Sequence, residues 1–330
     1  MKKKILISLG KENCGVHQFG LLVAEALEID HVSVMNANDI ESYLRSSTPD
    51  LVIWNWHPAT LASILSPNIR FPQVKMSLCL LHEFDARTMN YPLFDGVVFP
   101  EPTSTFRHPR FFSCGRVLPT WLADPGIMPT EDEIVIGTFG FDASMKGYQT
   151  LLRYVEESFE KAVIRIHIPP NWAVDPLGVR SKAVFEGIKN QAGPNTSVEF
   201  SSEFLSRRQL IHWLQKNSIN VFPYDPSPHP GLSSSIDLAL ASGQPLAITR
   251  CGLFRHLTHL PITLESFSLR EIMKLGECPL GPIREQRAVL NFRKRWDWII
   301  AYLQDAMMIG PVPVLCRSFD HILCSKGDEP

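Results

Sequence analysis

The sequence predicts an α/β protein made of two doubly wound, Rossmann-like domains that face a central cleft. The chain has 330 residues, which is more than one ordinary domain holds and enough for two. Short apolar runs alternate with amphipathic stretches, the pattern of a parallel sheet that helices cover on both faces. This alternation stops near residue 120 and starts again near residue 134, so the same pattern occurs twice.

The first occurrence predicts an N-terminal domain over residues 1–120. Six apolar runs are strand candidates, namely ILISLG, HVSVMN, DLVIWNW, VKMSLCL, GVVFP and FFSCGRVLP. Three stretches between them have helical spacing, HQFGLLVAEALE, DIESYLRSS and PATLASIL. The cluster of prolines and acidic residues that follows predicts an interdomain linker over residues 121–133.

The second occurrence predicts a domain over residues 134–285, with strand candidates IVIGTFGF, AVIRIHIP, SVEFSS, INVFPY and PLAITR. Helical patterns lie between them at YQTLLRYVEESF, SKAVFEGIKNQA, RRQLIHWLQKN and SSSIDLALASG. Residues 286–310 predict a long C-terminal helix that packs back on the N-terminal domain. Residues 311–330 show no period and are interpreted as a tail.

The composition is that of a soluble globular protein. A formal net charge of −2 and a pI of about 6.6 give no basic field that would gather nucleic acid. The apolar runs are too short to span a bilayer, and the start MKKKILISLG is interpreted as a strand rather than a signal peptide. The 7 cysteines are scattered and include no C-x-x-C pair, so we expect reduced thiols in a cytoplasmic protein, without disulfides or a zinc site.

Doubly wound sheets bind ligands beyond the carboxyl ends of their strands, so the loops that follow the strands form the candidate site. The loop after the first strand, SLGKENCGVHQFG, opens a helix, and we take Gly15, Val16 and His17 as cleft residues. It lacks the G-x-G-x-x-G spacing of a dinucleotide fingerprint. The alternative is that Gly15 only supplies a turn.

Ionisable side chains follow two further strands of the first half. His57 ends the run LVIWNW, where the alternative is a loop histidine beside core aromatic residues. His82 and Glu83 directly follow VKMSLCLL, and a histidine beside a carboxylate can act as a general base. The alternative for His82 is an ordinary surface histidine. We take His82 as a catalytic candidate and His57 and Glu83 as candidates for the acceptor side of a site.

Two loops of the second half have the pattern of an anion site. In GTFGFDASMKGYQTLL, Gly140 permits a close turn, and Lys146 precedes a helix whose N–H groups can bind a phosphate with it. The second loop places a Gly-Leu turn and three serines before the next helix, at Gly231, Leu232, Ser233, Ser234 and Ser235. The alternatives are a surface lysine and serines that only cap the helix.

These segments resemble those of a known family, the retaining GT-B glycosyltransferases of group 1, which are family 4-like. GTFGFDASMKGYQTLL and NVFPYDPSPHPGLSSSIDLALASGQPLAIT are similar to the donor-binding segments of that family. CGVHQFGLLVAEAL resembles its first glycine loop, and LNFRKRWDWIIAYL resembles its terminal helix. The resemblance spans roughly residues 4–305, and only the donor segments are specific.

The resemblance implies a GT-B fold and the transfer of a sugar from a nucleoside diphosphate sugar, which is a substrate rather than a cofactor. It implies that Lys146, Ser233 and Ser234 stabilise the leaving diphosphate, that Gly15 lies under the phosphates and that His82 stands at the cleft. The resemblance also implies transfer with retention of the anomeric configuration. The sequence contains no Asp-x-Asp motif, so we expect a transfer that needs no metal.

The chain departs from the family at a glutamate pair. When the chain is aligned on its G-Q-P motif, Pro230 and Leu238 stand in the places of the two glutamates. Asp237 is adjacent, but one residue along a helix turns the side chain by about 100°. Asp225 or His229 is a hypothetical substitute contact to the sugar.

Two other functions remain open at this point. The missing glutamates favour a catalytically degenerate protein of the same fold that binds a glycan or a partner. The group around His82 and Glu83 favours a nucleotide-sugar epimerase. The acceptor is also open, because acceptor loops vary most: a glycan, a lipid-linked glycan, a protein, a small molecule or a nucleobase would each fit.

Overall fold

The computed structural model describes residues 3–10, 14–66, 68–83, 92–119, 133–141, 145–171, 175–226 and 231–309, and these form two compact units. The first unit runs to Val117 and resumes at Gln286, and it also includes Gly231 and Leu232. The second unit holds the described residues between Leu118 and Glu285. The predicted tail, and the predicted linker except for Glu133, lie outside the described residues.

Each unit is built on one parallel sheet. The first has six strands in the order β2-β1-β3-β4-β5-β6, with bounds β1 Lys4–Leu9, β2 Asp30–Val34, β3 Leu51–Trp56, β4 Met76–Leu81, β5 Gly96–Phe99 and β6 Phe111–Ser113. The second has five strands in the order β11-β10-β7-β8-β9, with bounds β7 Val135–Phe139, β8 Ala162–His167, β9 Thr196–Ser201, β10 Ile219–Phe222 and β11 Leu246–Ile248.

The helices cover these sheets. Their bounds are α1 Gly15–Leu27, α2 Ala37–Ser47, α3 Leu61–Ile64, α4 Tyr148–Ser158, α5 Val179–Gln191, α6 Arg207–Gln215, α7 Ser235–Ala241, α8 Leu269–Leu275, α9 Gly281–Gln286 and α10 Val289–Ile309. The helix predicted at PATLASIL is only four residues long, because Leu65 already has an extended backbone. In the described part of the chain, no helix is long and apolar enough to cross a membrane.

Strands β3 and β4 are buried along their whole length, as their continuous apolar sequences predict. Their register pairs Trp54 with Cys79 and Trp56 with Leu81, while β1 pairs Ile7 with Trp54. The three strands therefore end side by side at their carboxyl ends. This alignment brings the residues at those ends into one place.

Helix α10 belongs to the core of the first unit. The side chains of Phe292, Trp296, Ile299 and Leu303 pack among residues of α1 and of the sheet. Polar contacts also connect α10 to the end of α1. The Arg293 side chain donates to the Ala26 carbonyl and pairs with Glu28. The last helix of the described chain is therefore part of the hydrophobic core that includes the sheet of the first unit.

We expect the substitution Trp296→Ala to destabilise the first unit by about 3–5 kcal/mol, since Trp296 is completely buried. The control Trp298→Ala removes the same side chain two residues later on α10, where 49% of it is exposed. Trp298 contacts the rings of Phe112 and Tyr302 but is half exposed, so this control should cost less than Trp296→Ala. Urea denaturation measures both values, and equal losses would contradict the packing of α10.

Candidate functional site

A buried polar network lies at the carboxyl ends of β1, β3 and β4. The Asn55 side chain donates from Nδ2 to Ser8 Oγ at 2.9 Å and to the Val16 carbonyl at 2.7 Å. The His82 ring approaches Asn55 Oδ1 with its Nε2 at 2.6 Å. His31 Nε2 reaches Ser8 Oγ at 3.1 Å and extends the network to β2. Side chains on or next to four strands are therefore connected, and those from β1, β3 and β4 lie near the edge where ligands of such sheets bind.

The network determines which ring nitrogen of His82 carries a hydrogen when the ring is neutral. Both hydrogens of the Asn55 amide are used, so its Oδ1 accepts and His82 Nε2 is the donor. Burial lowers the pKa of His82 well below its usual value, and the positive charge of Arg116 and the nearby His57 lower it further. His82 is therefore neutral at pH 7, with its remaining lone pair on Nδ1.

The carboxylate next to His82 in sequence has a different partner. Glu83 Oε2 lies 3.3 Å from Nε2 of His57, whose Nδ1 accepts from the Ala59 N–H at 3.0 Å. The acid–base pair of the first unit is thus His57 with Glu83, whereas His82 bonds to Asn55. The His82 side chain is buried and is directed into the network below the strand ends.

The first glycine loop supports the same network. Gly15 begins α1, and Val16 supplies the carbonyl that Asn55 contacts. A Cβ atom at Gly20 would overlap the side chain of Asn55, so only glycine lets α1 approach the strand ends this closely. His17, expected at a cleft, is 5% exposed and bonds through Nδ1 to the Leu9 carbonyl at 3.0 Å. This bond connects α1 to the carboxyl end of β1.

Gly231 and Leu232 belong to the first unit. Gly231 forms an antiparallel bridge with Glu83, and a Cβ atom there would lie 2.9 Å from the His82 carbonyl oxygen. The glycine at this position is therefore required by the backbone of the His82–Glu83 segment. Leu232 is half-buried beside it.

In the second unit, Lys146 lies beyond the carboxyl end of β7 and contacts Tyr224 after β10. Its Nζ donates to the Tyr224 hydroxyl and lies 3.8 Å from the centroid of that ring. Gly140 closes the strand end with a φ of +149°, and a Cβ atom there would be 3.2 Å from Lys146 Nζ. The ring and hydroxyl of Tyr224 therefore hold the Lys146 ammonium, and Gly140 leaves room for it because it has no side chain.

Gly147 explains why the lysine segment lies so close to the segment after β10. Its φ is +63°, and a Cβ atom would overlap the Pro223 carbonyl oxygen. The Asp225 N–H donates to the Met145 carbonyl at 2.8 Å. A cavity of about 530 Å³ adjoins this contact, with Gly147, Asp225, Arg180 and Gly187 in its wall.

The serines after Gly231 do not cap α7 with their side chains. Ser234 is the N-cap residue, but its hydroxyl makes no capping hydrogen bond. The Ser233 N–H donates to the Leu253 carbonyl at 3.3 Å. The Tyr224 hydroxyl lies 3.5 Å from Ser235 Oγ, so a chain of polar contacts runs from Lys146 through Tyr224 to the serines. Lys146 and the serines of the two loops predicted to bind a diphosphate are thus brought together within the second unit.

The residues around the missing glutamates lie partly within the described chain. Leu238 packs partly buried against the core of the second unit, and Asp237 is only 2% exposed. Pro230 and His229 lie outside the described residues. Within the described ranges, no cluster of three or more His, Cys, Asp or Glu side chains is arranged to hold a metal ion.

Sequence reasoning missed Tyr224 and the role of Asn55. Asn55 stands alone in an apolar strand, which is a signal that it needs buried partners. Tyr224 follows the strand INVF directly, and its position at a strand end was the available signal. Asn55 bonds to His82, 27 residues away, and Tyr224 bonds to Lys146, 78 residues away, so no local sequence pattern connects either pair.

Comparisons with known proteins give structural matches only. No family model matches the chain, and no curated protein matches its sequence. HepE of Anabaena in complex with UDP is 12% identical and has a TM-score of 0.61, covering 91% of this chain and 99% of that chain. The same protein with UDP-glucose is 10% identical and has a TM-score of 0.55, covering 93% of this chain and 98% of that chain.

A third match is to a protein that is named as a glycosyltransferase. The structure of a glycosyltransferase from Rickettsia africae is 10% identical and has a TM-score of 0.51, covering 93% of this chain and 97% of that chain. These matches extend over both units and confirm the fold predicted from the donor loops. The chain has the GT-B fold of the glycosyltransferases.

Proposed function

We propose that the protein is a glycosyltransferase that transfers a sugar from a nucleoside diphosphate sugar to an acceptor. The observation that carries the proposal is the contact of Lys146 with Tyr224 beside the serines at α7. A lysine held beyond the carboxyl end of β7 occupies the region where doubly wound sheets bind ligands. Its positive charge suits the negative charge that develops on a leaving diphosphate.

The contacts of Lys146 support preorganisation of the site. Tyr224 is 1% exposed, so its ring and hydroxyl are fixed before any ligand arrives. The Ser234 hydroxyl makes no capping bond, which leaves it suited to a phosphate oxygen. A site whose donors are already in position loses little free energy to rearrangement when charge develops.

A uridine nucleotide is our first candidate for the donor. HepE of Anabaena, which has the same fold, is bound to UDP in one structure and to UDP-glucose in another. We also propose transfer with retention and without a metal ion, since the lysine charge is available to neutralise the diphosphate. Proton NMR of the first-formed anomer tests retention.

For the acceptor side we propose a role for neutral His82. Its Nε2–H is used by Asn55, so the ring is held with Nδ1 as its basic atom. A neutral imidazole accepts a hydrogen bond from a sugar hydroxyl, which a protonated ring does not. His57 and Glu83 form a separate pair in the same unit.

A second candidate function is binding without transfer. It is favoured by Leu238, whose side chain packs on the core where the family resemblance places a carboxylate. Such a protein would still bind a nucleotide through Lys146 but would not release it from a sugar.

The substitution Lys146→Ala should lower the transfer rate by about a hundredfold to a thousandfold, because it removes the charge proposed to stabilise the leaving group. The melting temperature should change little, since Lys146 is only half-buried. Lys161→Ala, which removes an exposed lysine just before β8, is the matched control. Equal rates for the two variants in a nucleotide-release assay would refute the role of Lys146.

We expect UDP to raise the melting temperature, because a ligand that binds only the folded chain stabilises it by about 2.7 kcal/mol at a hundredfold excess over Kd. GDP, ADP and CMP should shift it less, and EDTA should leave the UDP shift unchanged. A shift by UDP together with UDP release from UDP-glucose distinguishes transfer from binding alone. If none of the four nucleotides shifts the transition of folded protein, the donor proposal fails.

The pKa of His82 predicts a pH-dependent stability. Because this pKa is lowered in the folded chain, only the unfolded chain takes up the proton as pH falls below about 6.5. The contribution of neutral His82 is complete above that pH and is lost below it, by about 1.4 kcal/mol for each pH unit.

The variant His82→Gln should therefore lose less stability than the wild type between pH 6.5 and pH 5, as measured by urea denaturation at each pH. His212→Gln, at an exposed position on α6, should keep the pH dependence of the wild type. Parallel curves for His82→Gln and the wild type would mean that His82 is protonated in the folded chain.

A further inference from the structure

The first unit contains a cavity of its own, which does not include residues of the network around His82. It has a volume of about 410 Å³, within the range of sites for small ligands. Its wall is formed by the segment after β5, the end of β6 and the region where α10 begins. Its lining includes Ser113, Cys114, Arg287, Asn291 and Arg295.

The charged groups in this wall are all cations. Arg287 is 2% exposed, whereas Arg295 is exposed at the surface, so one guanidinium lies within the wall and the other at the opening. No aspartate or glutamate is among the described residues that line the cavity. The charged side chains among the described lining residues are therefore both arginines.

The neutral groups in the wall fit the same sign of ligand. Burial raises the pKa of the Cys114 thiol to about 12, so the thiol adds no negative charge at pH 7. Asn291 carries an amide that can donate hydrogen bonds, whereas the Ser113 hydroxyl already donates to the Glu101 carbonyl. Arg295 is directed along the wall, since its Nε donates to the Ser113 carbonyl at 3.1 Å.

Arg295 is also oriented from its other side. Its guanidinium carbon lies 4.6 Å from the centroid of the Trp298 ring. Stacking on an aromatic ring and a bond to a backbone carbonyl together restrict a long side chain, and a guanidinium held in one plane binds phosphate oxygens in pairs.

We propose that this cavity binds a phosphate group, with Arg295 as the principal ligand and Arg287 and Asn291 in support. The phosphate belongs either to an acceptor substrate or to a free anion. The proposal goes beyond the transferase function, because none of these residues is in the donor segments and the cavity lies wholly within the first unit.

The test is isothermal titration calorimetry with inorganic phosphate and with glucose 1-phosphate, in low salt. All proteins carry Lys146→Ala, so that the proposed diphosphate site does not contribute. We expect saturable binding of at least one probe. Adding Arg295→Gln should weaken it about tenfold, since a hydrogen bond to a charged group contributes about 1.5–3 kcal/mol and each 1.4 kcal/mol is tenfold.

Lys294→Gln is the matched control, because it removes one exposed positive charge from the adjacent position of α10 without touching the cavity. It should change the affinity less than twofold. Equal weakening by Arg295→Gln and Lys294→Gln would mean that any positive charge nearby has the same effect on phosphate binding. That result would overturn the proposal. Absence of saturable binding by both probes would also overturn it.

A second variant fills the cavity and keeps its charges. A Cβ atom at Gly115 would meet only Arg287 Cγ, at 3.8 Å, so Gly115→Leu fits the backbone and extends into the space. It should abolish binding at an unchanged melting temperature, and retained binding in this variant would refute the cavity as the site. Tighter binding of glucose 1-phosphate than of phosphate identifies an acceptor, and the reverse order identifies a free anion.

Discussion

Burial of the parallel sheets on both faces determines how this protein uses its polar side chains. A polar group below the strand ends has no water to bond with, so it must find a partner in the fold. Asn55, which is completely buried, meets this requirement by bonding to Ser8, Val16 and His82 at once. The hydrogen bonds of this one buried amide therefore orient the His82 ring and fix the position of the start of α1.

In the second unit, the buried polar group that finds hydrogen-bond partners within the fold is the hydroxyl of Tyr224. Tyr224 is buried by its ring but keeps its hydroxyl between Lys146 and Ser235. A cation beside an aromatic face gains about 0.5–2 kcal/mol, depending on how far it is removed from water. This contact holds the ammonium in place without neutralising it, which a carboxylate partner would do. A positive charge kept in this way remains available to a ligand.

The sequence predicts the sheets well, because apolar runs such as LVIWNW and MSLCLL correspond to strands buried on both faces. It also indicates Lys146, because glycines flank it at a strand end. It does not predict partners. His82 and Glu83 are neighbours in the chain, yet Glu83 pairs with His57 and His82 bonds to Asn55, 27 residues away. Chain adjacency describes a distance along the backbone, whereas a hydrogen bond depends on where folding directs each side chain.

The step from Asp237 to Leu238 shows how packing constrains the chemistry of the second unit. Successive residues of a helix point about 100° apart, so a short helix such as α7 cannot present both side chains in one direction. Asp237 is 2% exposed, and Leu238 packs on the core of the unit. A carboxylate is therefore not available from the exposed side of α7 at either position. Any acidic contact to a bound sugar in this unit must come from another segment, and Asp225 is the carboxylate that the described chain places beside the lysine loop, through its bond to Met145.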